Sequence, residues 1–284
     1  MACPTPTRII DVPLLIEGAL CLFLKDFLKT ELLIFKLNRK ESKKMIQDQI
    51  EKHSTLRSVF LHLLPGILVG CFYFLALKPV TKMGYPSFFA LLLAFAIILV
   101  PLELGFLLFQ GKKKTGRFTL RGIISYQKSI PWWQYFVWVS IIFVIVGVLM
   151  TLFKPIDSFL QKNLFFWMPD VNTGLDGNYS KTILIVTYSV FLIINVFLAP
   201  MVEELYFRGY LLPRMKGKCA FLFHSFLFAA IHVFSPWMII ARTIGFLPII
   251  FGTTKKNIYV GMVVHMWCNA TGFVTGITYI SKMV

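Results

Sequence analysis

The sequence predicts an all-α, polytopic membrane bundle, and three observations carry that prediction. Uncharged apolar runs of near-membrane length recur along the chain. Only 15% of the residues are charged against 57% hydrophobic, where soluble domains carry about 25% charged residues. The basic residues behind the net charge of +16 gather in short tracts beside the apolar runs, where a soluble core would need a polar surface all round.

Residues 12–35 alternate apolar stretches with Glu17, Lys25, Asp26, Lys29 and Glu31, the pattern of an amphipathic helix that lies at the interface or spans poorly. Residues 36–57 are polar, basic and read as helical, so 1–57 forms an N-terminal region ahead of a bundle at 58–284. Within it, apolar runs cover about 58–79, 87–109, 132–153, 182–199, 219–234, 237–252 and 258–280. They predict seven spans, or eight if the first amphipathic segment crosses. A bilayer core needs roughly 20 helical residues, so 219–234 and 237–252, which are short and contain Pro or Gly, are expected to be tilted or partly broken. Trp132, Trp133 and Tyr135 open the third run as an aromatic belt would.

Lys36, Arg39, Lys40, Lys43 and Lys44 form one basic cluster, and Lys112, Lys113, Lys114, Arg117 and Arg121 another. Such tracts hold loops on the cytoplasmic side, where anionic bilayer lipids attract them, and their place beside the spans argues against a nucleic-acid binder. Residues 154–181 then lie outside, with Arg214, Lys216, Lys218, Lys255 and Lys256 inside. That outside loop carries the sequon Asn178-Tyr179-Ser180, relevant only in a eukaryotic secretory membrane. The five cysteines are odd in number and lack CxxC spacing, so neither a disulfide framework nor a zinc ribbon is expected. No basic cluster with a small-residue cleavage site precedes the first run, so a removable signal peptide is not expected.

Ionisable groups inside the apolar runs carry the functional reading, because they are costly there unless paired or hydrogen-bonded. In Glu203-Glu204-Leu205-Tyr206-Phe207-Arg208, helical spacing sets Glu204 and Arg208 on one face and turns Glu203 about 100° away. Arg208 can hold Glu204 ionised and leave Glu203 facing a cavity, a division that suits a general base and its orienting neighbour; a plain ion pair at a helix end is the structural alternative. Phe228-Ala229-Ala230-Ile231-His232 supplies a histidine able to activate water, bind metal or make an interhelical contact; His224 ranks below it. His265 and Asn269 share a face of the last run and can stabilise an oxyanion or serve as helix–helix hydrogen bonds. Glu103 and Arg242 are smaller candidates. Together these groups make a peptide-hydrolysis site. Glu203, His232 and His265 could instead bind zinc, although there is no HExxH, and a non-enzymatic transporter or scaffold is the remaining class.

At these motifs the chain resembles the CPBP family of intramembrane proteases, which includes the type II CAAX prenyl endopeptidases and the bacteriocin-immunity or Abi proteins. Ala199 to Gly209 resembles the EExxxR motif with its upstream Ala-Pro and following Gly, Phe228 to His232 matches FxxxH, and His265 to Asn269 matches HxxxN. The resemblance covers roughly 130–280. It implies that Glu203 activates water with help from His232, that Glu204 and Arg208 organise the site, and that His265 and Asn269 stabilise the oxyanion, in a glutamate-dependent mechanism without metal. The implied substrate is a membrane-associated peptide or lipidated protein with a prenylated CAAX-type terminus. The implied location is the cell membrane in a prokaryote or the endoplasmic reticulum in a eukaryote. An immunity protein that keeps the motifs without activity fits the same resemblance.

Overall fold

Proline sets the shape of the long helices. The computed structural model describes residues 50–283, so the amphipathic segment at 12–35 and the basic cluster at 36–44 lie outside the described residues. The helices are α1 (Thr55–Lys82), α2 (Ser87–Thr115), α3 (Trp132–Asn163), α4 (Lys181–Arg214), α5 (Ala220–Ala230), α6 (Pro236–Lys256) and α7 (Ile258–Ser281). Turns widen to π geometry over Phe95–Leu99 in α2 and over Leu192–Leu198 and Glu204–Leu211 in α4. Each of these stretches ends two residues before a proline, namely Pro101, Pro200 and Pro213. A proline offers no N–H and crowds the carbonyl four residues back, so the turn ahead of it opens. In α4 this falls on the stretch that carries Glu204 and Arg208.

The protein is an integral, multi-pass membrane protein. Among the described residues six helices are long and apolar enough to cross a bilayer. The seventh expected span, 219–234, is not one of them. Its helix, α5, has only 11 residues, a rise of about 16 Å against a hydrocarbon core of about 30 Å. Ser235 precedes Pro236 and sits at φ −151°, ψ 63°, outside the helical region as pre-proline sterics require. The chain therefore turns at 231–235. This turn packs against Gly66 and Gly70, midway along α1, and it carries His232.

Bent backbone at membrane depth persists only where protein satisfies it. Here the His232 N–H donates to the Ala229 carbonyl, the Ser235 N–H to the His232 carbonyl, and the Arg242 guanidinium to the Ser235 carbonyl at 2.9 Å. A Cβ on Gly66 would lie 2.7 Å from the Ile231 Cα, and backbone cannot rotate out of the way. Gly66→Ala is thus expected to cost about 1–3 kcal/mol through overpacking and to lower the unfolding midpoint in detergent. Gly105→Ala is the control, since an added Cβ there meets no atom within 4 Å, and its midpoint should not fall.

Loop 116–131 ties one face together. The Ser125 N–H donates to the Gly209 carbonyl (2.9 Å) and the Ile258 N–H to the Tyr126 carbonyl (2.8 Å). The α-helical donor for Gly209 would be residue 213, a proline, so the loop replaces it. A Cβ at Gly209 would come within 2.9 Å of both Ile124 and Ile258, which is why the residue after Arg208 has no side chain. Burial of this loop pushes the Tyr126 hydroxyl up to about 12. The basic ends of α2, α4 and α6 meet at this face, while loop 164–180 closes the opposite one through Asn172, whose carbonyl accepts from the Phe88 N–H and whose N–H donates to Ser87 Oγ.

Two apolar clusters fill the interior. One groups Leu107, Ile142, Phe207, Phe228, Ile249 and Val264; the other groups Val69, Phe88, Leu92, Leu184, Tyr188 and Phe191. The polar residues singled out in the sequence lie where these clusters meet. α3 is the most peripheral of the spanning helices, with 17% of its apolar window buried against 33–39% in the others, and Phe136, Val144, Leu152 and Phe159 face outward along it.

Candidate active site

The site is built on α4. Glu203 and Glu204 follow Pro200 where the helix passes into its second π stretch. Glu204 and Arg208 are fully buried, and Nη1 of Arg208 donates to Glu204 Oε1 at 2.8 Å. The guanidinium lies over the Phe228 ring, 3.8 Å from its centroid, so α5 supplies an aromatic face that steadies a dehydrated cation. A fully desolvated ion pair is stable only when further contacts of this kind surround it.

His265 stands between the two carboxylates. Its Nδ1–H donates to Glu204 Oε1 at 3.0 Å, and its Nε2 lies 3.7 Å from Glu203 Oε2. Glu203 is 7% exposed and turns away from Arg208 towards open space. His232 donates Nδ1–H to the Phe228 carbonyl (3.0 Å), which in the neutral ring leaves Nε2 as the lone-pair nitrogen. Asn269 donates from Nδ2 to the backbone carbonyl of Asn195 at 2.7 Å. That carbonyl lacks a helical donor, because the Ala199 N–H bonds to Ile194 and the next residue is Pro200.

A cavity of about 420 Å³ brings these groups together. Glu203, His232, His265 and Asn269 all line it, with Phe88, Phe95, Phe143, Val146 and Phe246 as apolar walls. Glu204 and Arg208 lie behind it. A second space of about 20 Å³ borders Glu203 and His232 on the α1 side, large enough for one water. The chemistry available is a carboxylate and an imidazole facing the same space, with amide and imidazole N–H groups nearby and an apolar vestibule.

Several residues fall elsewhere than their spacing suggested. His224 lies outside the cavity, and its Nδ1 is 2.9 Å from Nε2 of His62, whose Nδ1 donates to the Ser58 carbonyl. Glu103 is fully buried, and neither of its oxygens has a hydrogen-bond partner among the described residues. Arg242 lines the cavity, with Nη1 on the Ser235 carbonyl and Nη2 on Ser235 Oγ, both at 2.9 Å. Asn195 and Cys268 also line it and were passed over in the sequence; a lone Asn within Leu192–Leu198 was the available signal for the first.

Residues 185–271 match the family model of the type II CAAX prenyl endopeptidase Rce1-like proteins. Over that stretch the chain is similar to the CPBP/Rce1-like family. The Rce1-like segment is less than a third of the sequence, yet it holds Glu203, Glu204, Arg208, His232, His265 and Asn269. α1 and α2, which wall the cavity and back the His232 turn, lie outside it. No curated protein and no solved structure matches the chain.

Proposed function

We propose that this Rce1-like membrane protein is an intramembrane endopeptidase that hydrolyses a peptide bond in a membrane-associated substrate. The single observation carrying this reading is the shared cavity, onto which Glu203, His232, His265 and Asn269 converge from three parts of the chain. Glu203 acts as general base on a water that His232 Nε2 helps to orient. Both groups border a space small enough to confine such a water. Glu204, tied to Arg208 and His265, fixes the imidazole.

As the peptide carbonyl is attacked, negative charge grows on its oxygen, and donors already in place stabilise it at no reorganisation cost. The second N–H of Asn269 takes this role, and the His265 ring, which already donates Nδ1–H to Glu204, adds an Nε2–H donor in its doubly protonated form. The 3.7 Å between Nε2 and Glu203 is too long for a hydrogen bond and leaves that nitrogen open to a carbonyl. The apolar walls suit a substrate with a lipidated end, and the match to prenyl endopeptidases makes a prenylated CAAX-type terminus the first substrate to try. Zinc fits poorly. Among the described residues no three His, Cys, Asp or Glu side chains are grouped to hold a metal ion.

The test is cleavage of a membrane-anchored, C-terminally prenylated peptide by purified protein in liposomes, read by mass spectrometry alongside metal analysis. Cleavage at far below one metal per chain is expected. Activity lost on removing a stoichiometric metal and restored by returning it would replace the glutamate mechanism with the zinc one. A wild type that cuts neither prenylated nor unmodified membrane peptides would defeat the reading.

A further inference from the structure

We infer that Thr253 is a positioning residue for this site, its hydroxyl closing the second oxygen of Glu204. The inference deepens the hydrolytic reading and rests on it for its catalytic consequence. Glu204 Oε1 receives both Arg208 and His265, whereas Oε2 is buried with no partner among the described residues. A carboxylate oxygen left bare in the interior is costly, and such an atom in a native protein calls for a donor.

Thr253, near the end of α6, offers one. Its side chain is fully buried, and its Oγ1 is likewise without a partner. The neighbouring Thr254 makes the usual helical bond, from Oγ1 to the Ile250 carbonyl at 2.8 Å, so Thr253 is the one turned elsewhere. It turns towards Gly261 on α7. A Cβ built on Gly261 would overlap Thr253 Oγ1 and lie 3.0 Å from Glu204 Oε2. The missing side chain thus leaves both oxygens bordering the same small space, a hydroxyl donor on one side and an anionic acceptor on the other. The bond forms directly after a small rotation of Thr253 or through one water held between the two groups.

The competing donor is Arg208. Among the described residues it meets Glu204 through Nη1, and its Nε and Nη2 have no partners. Its plane is fixed over Phe228, so reaching Oε2 would mean leaving that ring. With Thr253 in place, Glu204 is gripped at both oxygens, the His265 ring is held through Oε1, and the space between His265 and Glu203 keeps its width.

The experiment compares Thr253→Val, which keeps the shape and removes the hydroxyl, with Thr253→Ser, which restores it. Gly261→Ala places a methyl in the shared space. Thr253→Val is expected to lower kcat about tenfold, the worth of one charge-assisted hydrogen bond, with KM within about twofold of wild type. Thr253→Ser should recover most of that loss, and Gly261→Ala should resemble the Val variant. Infrared difference spectra against Glu204→Gln isolate the Glu204 carboxylate band. That band should shift in Thr253→Val and return in Thr253→Ser, whether or not a substrate has been found, so failure of the hydrolytic reading and failure of this one are separable. An unmoved band, or full kcat in the Val variant, overturns the inference in favour of Arg208. Equal losses in Val and Ser, tracking a fall in unfolding midpoint, reduce Thr253 to packing and overturn it as well.

Discussion

Glu203→Gln is expected to abolish the proposed peptide cleavage while leaving the protein inserted and folded. The carboxamide matches the carboxylate in size and still lines the cavity, but it cannot take a proton from water. General-base catalysis is worth roughly 10²–10⁴-fold, so kcat should fall by about three orders of magnitude or more. Stability should hardly change, because Glu203 makes no contact with His265 closer than 3.7 Å and borders open space. The measurements are kcat on the liposome peptide and the thermal midpoint in detergent. Substantial turnover by a normally folded Gln variant would remove Glu203 as the base. The neighbouring Glu204→Gln behaves oppositely in stability, since it strips a fully buried guanidinium of its counterion.

Arg208→Met carries the largest expected loss of stability. Arg208 and Glu204 are both fully buried and meet at 2.8 Å. Removing the cation leaves an unpaired carboxylate in the interior, which costs about 3–5 kcal/mol, and the ring contact with Phe228 is lost too. Combining Arg208→Met with Glu204→Gln removes both charges together, and much of the lost stability should return. Activity should not return, since the carboxylate that holds His265 is replaced by a neutral amide, whose oxygen accepts a weaker, uncharged hydrogen bond. Unfolding midpoints of the two single variants and the double close the cycle. Strictly additive losses would show that the pair is not coupled in the way its geometry implies.

Much of the helical layout and the order of the motifs was legible because both depend on local spacing. Glu204 and Arg208 are four residues apart, and any helix sets such a pair on one side. The apolar runs likewise register helix by helix. What spacing could not convey was register between helices. Asn269 looked like a free donor, yet one of its N–H groups answers a carbonyl left bare by Pro200, a need that arises only because the turn ahead of that proline widens. His265 was expected to face the substrate, and it is also hydrogen-bonded to Glu204. Pro236 was visible from the start, but the depth of the turn before it depends on Gly66 and Gly70, over 160 residues earlier. Thr253 drew no notice, because an unpartnered hydroxyl is a property of its surroundings and not of its neighbours in the chain.

The half-length α5 and the bend after it bear on how the protein matures. The turn at 231–235 packs on Gly66 and Gly70, so it lacks that surface until the middle of α1 is there to receive it. A helix made early, α1, is therefore needed to seat a histidine made much later. A nascent chain holding α4 alone has its acidic pair but no imidazole opposite, so the proposed site is not assembled during insertion. For the same reason residues 185–271 do not amount to a detachable enzyme: cut loose from α1 and α2, they would keep every motif and lose the wall against which those motifs are assembled.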